Sequence, residues 1–197
     1  EYMYKEIVKL VIMMISQPTK TWKMLQERRE KDEQETGSIR YEAFQSDYLY
    51  PFIGILTVAA FFSVCTRQEF DIEQALKSAI VTFVSTFGGF YLASYLLNEL
   101  WQGFFKKEKN LPLCQMFVGF SSALMFTLDI VWMLLPDFFF LYIFIVYTFY
   151  IVWEGSTVFM QIEETAQMKF TVFASVLIIA MPHLIEKVLI LLMPGLR

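Results

Sequence analysis

The sequence predicts an all-α integral membrane protein: a five-helix transmembrane bundle preceded by an N-terminal amphipathic, interfacial helix. Three observations carry this. Of the 197 residues 56% are hydrophobic and only 18% charged, an apolar share above the roughly 45–50% of soluble domains. The apolar residues gather into long runs instead of amphipathic patterns, which favours lipid over a globular core as their environment. A mixed-charge arm precedes the first run, which divides the chain into an arm and linker over residues 1–47 and a membrane domain over 48–197.

The arm opens with Ile7, Leu10, Val11 and Met14 at helical spacing, with Lys5, Glu6 and Lys9 able to reach water. That is the pattern of a helix lying in the membrane interface. The apolar block is short and ends at Ser16-Gln17-Pro18 without a small-residue cleavage pattern, so it reads as such a helix and not as a cleaved signal. Pro18 restarts the chain into a second amphipathic piece, whose Trp22 is expected at headgroup level. From Gln26 to Asp47 the mixed charges predict a solvated helix that frays into a linker near Gly37 and Ser38.

Five apolar runs follow, at about 48–65, 79–97, 116–135, 138–153 and 170–193. At about 1.5 Å per residue, four of them cover most of a hydrocarbon core of about 30 Å, whereas the fourth reaches only about 24 Å. It follows the third after Pro136-Asp137, which suits a tight hairpin within the membrane. With the N-terminus inside, inner segments hold 12 of the 16 Lys and Arg, including Lys106, Lys107 and Lys109, so the expected topology is N-terminus cytoplasmic and C-terminus outside.

A formal charge of −4 with no basic stripe argues against nucleic acid as a partner. Two cysteines and one histidine make no ordinary zinc site, and no phosphate-binding glycine loop or nucleophile triad is present. The expectation is therefore no enzyme, no cofactor and no metal; the partners expected are membrane lipids and other integral membrane proteins, with self-association possible for the bundle.

Two constellations stand out inside the runs. Ser85, Gly89 and Ala93 in the second run, and Gly119 and Ala123 in the third, recur every four residues. Small residues at that spacing let two backbones approach, so the second and third helices are expected to pack together along this seam. Asp129, His183, Glu186 and Lys187 are ionisable groups within spans, where charge is costly and partners are required. Their placement predicts an ion pair between Asp129 and Lys187 that locks the third and fifth helices, with a proton or ion site as the alternative use.

Three segments together resemble the Yip family of small five-span membrane proteins, named for Ypt/Rab-GTPase interaction. They are the Pro18 to Trp22 stretch, Asp47-Tyr48-Leu49-Tyr50-Pro51 at the mouth of the first run, and Gly119-Phe120 in the third. Tyr50 is followed directly by Pro51, and Phe120 stands where the family has tyrosine, which brings the chain closer to bacterial members. The resemblance implies a cytoplasmic N-terminal region, residence in a bacterial inner membrane, and a scaffold or trafficking-type role without catalysis.

Overall fold

The computed structural model describes residues 2–37, 41–67, 71–105 and 107–192; among them every regular element is helical. Arg40, Lys106 and Arg197, counted in the charge asymmetry, lie outside the described residues, as does Ser38.

Helix α1 (Tyr2–Ser16) and helix α2 (Pro18–Thr36) form the arm. Pro18 sits in the first turn of α2, where its missing N–H removes nothing. Gly37 ends α2 in the left-handed conformation at φ 71°, with its N–H bonded to the Glu33 carbonyl at 2.9 Å. The charged stretch is thus one helix up to a definite cap. Helix α1 buries Ile7, Val11 and Met14 while Tyr4, Val8 and Ile12 stay exposed on another face.

The first run begins earlier than its apolar composition suggests. A short helix α3 (Tyr41–Phe44) passes through a π-helical turn (Gln45–Leu49) into helix α4 (Tyr50–Arg67), and Tyr41–Thr66 together is long and apolar enough to span. Pro51 explains the π turn. A proline clashes with the carbonyl four residues back and donates no bond to it, and widening the helix by one residue ahead of it relieves the ring. Asp47 lies inside this turn, not at a helix start, and its carboxylate accepts from Ser46 at 2.8 Å. It does not cap the span.

Helix α5 (Ile72–Phe105) is the central helix of the bundle, packed on α4 to one side and most extensively on the last helix, α9 (Glu164–Leu192). The third run divides into α6 (Leu111–Ser121) and α7 (Ala123–Leu134), bent by 42°. The bend falls at Ser122, whose hydroxyl bonds back to the Val118 carbonyl at 2.7 Å, a contact that bends helices. Upstream, the Asn110 side chain caps α6 by accepting from the Leu113 N–H at 3.0 Å.

The fourth run starts as a 3₁₀ helix (Pro136–Val146) and continues as α8 (Tyr147–Val158). Among the described residues four helical stretches are thus long and apolar enough to cross a membrane, five if the bent pair counts as one span. The molecule is an all-helical membrane protein.

Candidate functional site

The family-like segments, far apart in sequence, meet in one aromatic knot. Trp22 is fully buried, and its indole N–H donates to the Ile151 carbonyl of α8 at 2.9 Å. Its ring lies 5.2 Å from Phe117 and 5.2 Å from Phe159, with Phe120 edge-on at 6.4 Å. Phe120 in turn contacts Phe44 at 5.0 Å and Tyr48 at 4.9 Å. Two glycines make the room: a Cβ on Gly155 would lie 2.5 Å from the Trp22 ring, and one on Gly119 would run into Phe44. Trp22 is therefore not an exposed interfacial anchor but a core residue, whose N–H is satisfied by the Ile151 carbonyl and whose ring has no need of water.

Arg29 follows two helical turns after Trp22 on the same side of α2. Its guanidinium stands 4.9 Å over the Phe159 ring and donates to the Phe159 carbonyl at 3.2 Å. Burial pulls its pKa below the ordinary value, against the opposing charges of Glu33 and Glu30. The charged stretch is therefore not uniformly solvated. Tyr50, near Pro51, places its hydroxyl 3.3 Å from that of Tyr91, and Gln45 donates to Tyr91 at 3.0 Å.

A second constellation is polar. Tyr142, on the 3₁₀ helix, donates its hydroxyl to Asp129 of α7 at 3.2 Å and meets His183 Nε2 of α9 at 3.0 Å. His183 Nδ1 stands 3.8 Å from Glu186. While Tyr142 donates to Asp129, its hydroxyl oxygen can accept from a proton on His183 Nε2. Three helices are tied at one hydroxyl. Lys187 is exposed and in no ion pair among the described residues, so the expected Asp129–Lys187 bridge is replaced by the Asp129–Tyr142 bond. Matching depth along two helices does not match direction around them. Tyr142 is the residue the sequence reading missed; its signal was a lone hydroxyl in the apolar stretch Phe138 to Val146.

The small-residue stripe also finds a different neighbour. Ser85, Gly89 and Ala93 recur on one side of α5, but Gly89 faces α9: a Cβ there would lie 2.5 Å from Pro182 Cα and 2.6 Å from its N. Gly88 likewise faces Ile185. At Gly89 the second run thus meets the fifth, not the third. Gly119 faces Phe44 and Phe90, and Ala123 is fully buried at the start of α7.

Among the described residues no group of three or more His, Cys, Asp or Glu side chains converges on a metal position. Cys65 is exposed and Cys114 buried, both as free thiols. The Yip1 domain family matches residues 13–185 of the chain, a stretch that holds the aromatic knot and the Tyr142 junction. No curated protein and no solved structure matches it.

Proposed function

Because the chain belongs to the Yip1 domain family, we propose that it is a non-enzymatic membrane scaffold or assembly factor that engages other integral membrane proteins through its N-terminal arm. In this reading all five runs span, the bent α6–α7 pair counting as one, with the N-terminus in the cytoplasm of a bacterial cell and the C-terminus outside its inner membrane. The observation that carries it is the anchorage of the arm. Trp22 and Arg29 fasten α2 to α8 and to the segment after it, so that the exposed face of Glu27, Glu30, Lys31, Gln34 and Glu35 is presented on a rigid helix. A fixed polar face binds a partner without the ordering cost of a loose tether.

Photo-crosslinking from Glu30 and Gln34 in native membranes, set beside crosslinking from lipid-facing Phe139, tests this. Discrete protein adducts from the arm that vanish in Trp22→Ala are expected; none from either arm position refutes the reading.

A second reading, a small-solute or ion permease, rests on the Asp129–Tyr142–His183–Glu186 chain. Its hydroxyl, imidazole and carboxylates form a continuous polar line across three helices. Flux into vesicles carrying the purified protein, lost in Asp129→Asn, would place it above the scaffold.

A further inference from the structure

We propose that the cavity between the N-terminal arm and the mouths of the first and third runs binds one phospholipid with a zwitterionic phosphoethanolamine headgroup. The cavity measures about 520 Å³, within the range of roughly 300–1,000 Å³ typical of small-molecule sites. Helices α1 and α2 form one side, the stretch from Ala43 to Tyr48 and helix α6 the other.

Its polarity is graded. Phe44, Tyr48, Met116 and Phe120 supply an apolar floor, and the first two lie in the opening turns of the span that begins at Tyr41. Charged side chains of the arm and the span mouth form the rim: Lys9, Arg28 and Arg29 against Glu6, Asp32 and Asp47. A lipid carries the same gradient, headgroup toward the arm and chains toward the spans, and the cavity adjoins the opening turns of the candidate span Tyr41–Thr66.

The rim charges select the headgroup. Arg29 is already engaged by Glu33 and by the Phe159 carbonyl. Lys9 and Arg28 stand in no ion pair among the described residues, so both can donate charge-assisted bonds to a phosphate. Asp47 accepts from Ser46 through one oxygen at 2.8 Å, which leaves the other for an ammonium. Glu6, also in no ion pair among the described residues, adds a second acceptor on the rim. Two available bases and two available acids match a phosphate and a primary ammonium on one molecule. A phosphoglycerol headgroup would bring no cation to Asp47 and Glu6, and a choline headgroup has no N–H to donate to them. This inference depends on membrane placement and not on the scaffold reading.

The test is native mass spectrometry of the full chain in detergent, offered phosphatidylethanolamine, phosphatidylcholine and phosphatidylglycerol of identical acyl chains at equal concentration. Phosphatidylethanolamine should be retained about fivefold or more above the other two, a difference of the size that single charge-assisted bonds produce. Replacing both bases, Lys9→Gln with Arg28→Gln, should cut its retention about tenfold. Asp47→Asn should erase the preference over phosphatidylcholine while sparing the fold, and Ala43→Phe should lower retention of every lipid by filling the cavity. Thermal melting of each variant separates lost binding from lost folding. Equal retention by parent and folded variants overturns the site. A phosphatidylglycerol preference that disappears with Arg28→Gln overturns the headgroup, and a copurifying polypeptide that displaces all three lipids overturns the ligand class.

Discussion

Gly89→Ala should destabilise the bundle although alanine is the better helix former. The added methyl would stand 2.5 Å from Pro182 Cα and 2.6 Å from Pro182 N, where ordinary contact begins at 3.4 Å. These are backbone atoms and cannot rotate aside, so α5 and α9 must part by about 0.9 Å. A gap of about 0.5–1 Å forfeits about a quarter to a half of each dispersion contact along it. Between membrane helices those contacts are the main attraction, since lipid is as apolar as the side chains. Overpacking of this kind costs about 1–3 kcal/mol, against a gain of up to about 1 kcal/mol for replacing glycine in a helix. The expected net loss is about 1–2 kcal/mol for alanine, larger for Gly89→Leu. The comparison that decides is internal: a Cβ added at Gly54 or Gly103 would meet nothing within 4 Å, so Gly54→Ala and Gly103→Ala should be neutral or stabilising. Gly88→Ala should fall between, because its close contact, at 3.0 Å, is with the far end of the Ile185 side chain and not with backbone. Thermal unfolding in detergent, followed by circular dichroism, reads the order directly. If Gly89→Ala melts with Gly54→Ala, the close approach of α5 to Pro182 is refuted.

Four further outcomes are expected. Trp22→Ala should cost about 3–5 kcal/mol, as a fully buried indole does, and should open residues 26–37 to protease; an arm cut no faster than in the parent would contradict its anchorage. Tyr142→Phe should cost about 1–3 kcal/mol by leaving Asp129 and His183 without their shared partner, with a coupling of about 0.5–3 kcal/mol to Asp129→Leu in a double-mutant cycle. Lys187→Met should stay within about 0.5 kcal/mol of the parent, and a loss like that of Tyr142→Phe would restore the ion pair to consideration. For topology, an impermeant thiol reagent applied to intact cells should label Asp71→Cys and miss Glu108→Cys in a Cys65→Ser background; the reverse pattern inverts the orientation.

The elements that were legible in the sequence were those fixed by composition over many residues. The apolar runs, the restart at Pro18 and the small-residue spacing around Gly89 are properties of one segment at a time, and one segment is enough to read them. Partners were legible only in part: the third run does meet the second where Gly119 faces Phe90, but a four-residue spacing says which side of a helix is small and not which helix fills it. The Gly89 stripe went to Pro182 for that reason. Trp22 reads as an interfacial anchor from its neighbours Thr21 and Lys23, and only the approach of Gly155 and Ile151 from the other end of the chain turns the same residue into core. Phe120 was legible as a motif position but not as the contact between Trp22 and Phe44, which needs three segments at once.

The fourth run shows how a length constraint becomes a site. Wound as α throughout, residues 138–153 would cover about 24 Å; with a rise of about 2 Å per residue up to Val146, they cover about 28 Å, close to a hydrocarbon thickness of about 30 Å. No residue of the 3₁₀ segment is fully buried, though Leu141, Tyr142 and Ile145 pack in part against the core, so span length and packing both favour the tighter winding. The winding also sets direction. At three residues per turn Tyr142, Ile145 and Thr148 fall on one line, half-buried at Tyr142 and Ile145 and fully buried at Thr148, while Phe139 one turn earlier is exposed. An α-helix turns about 20° less per residue, which over the stretch from Tyr142 to Tyr147 would swing the Tyr142 hydroxyl about 100° around the axis. It would then leave both Asp129 and His183. The position of the hydroxyl that ties three helices together thus depends on the 3₁₀ winding, and the Asp129–Tyr142–His183 junction in turn holds that winding against relaxing to α.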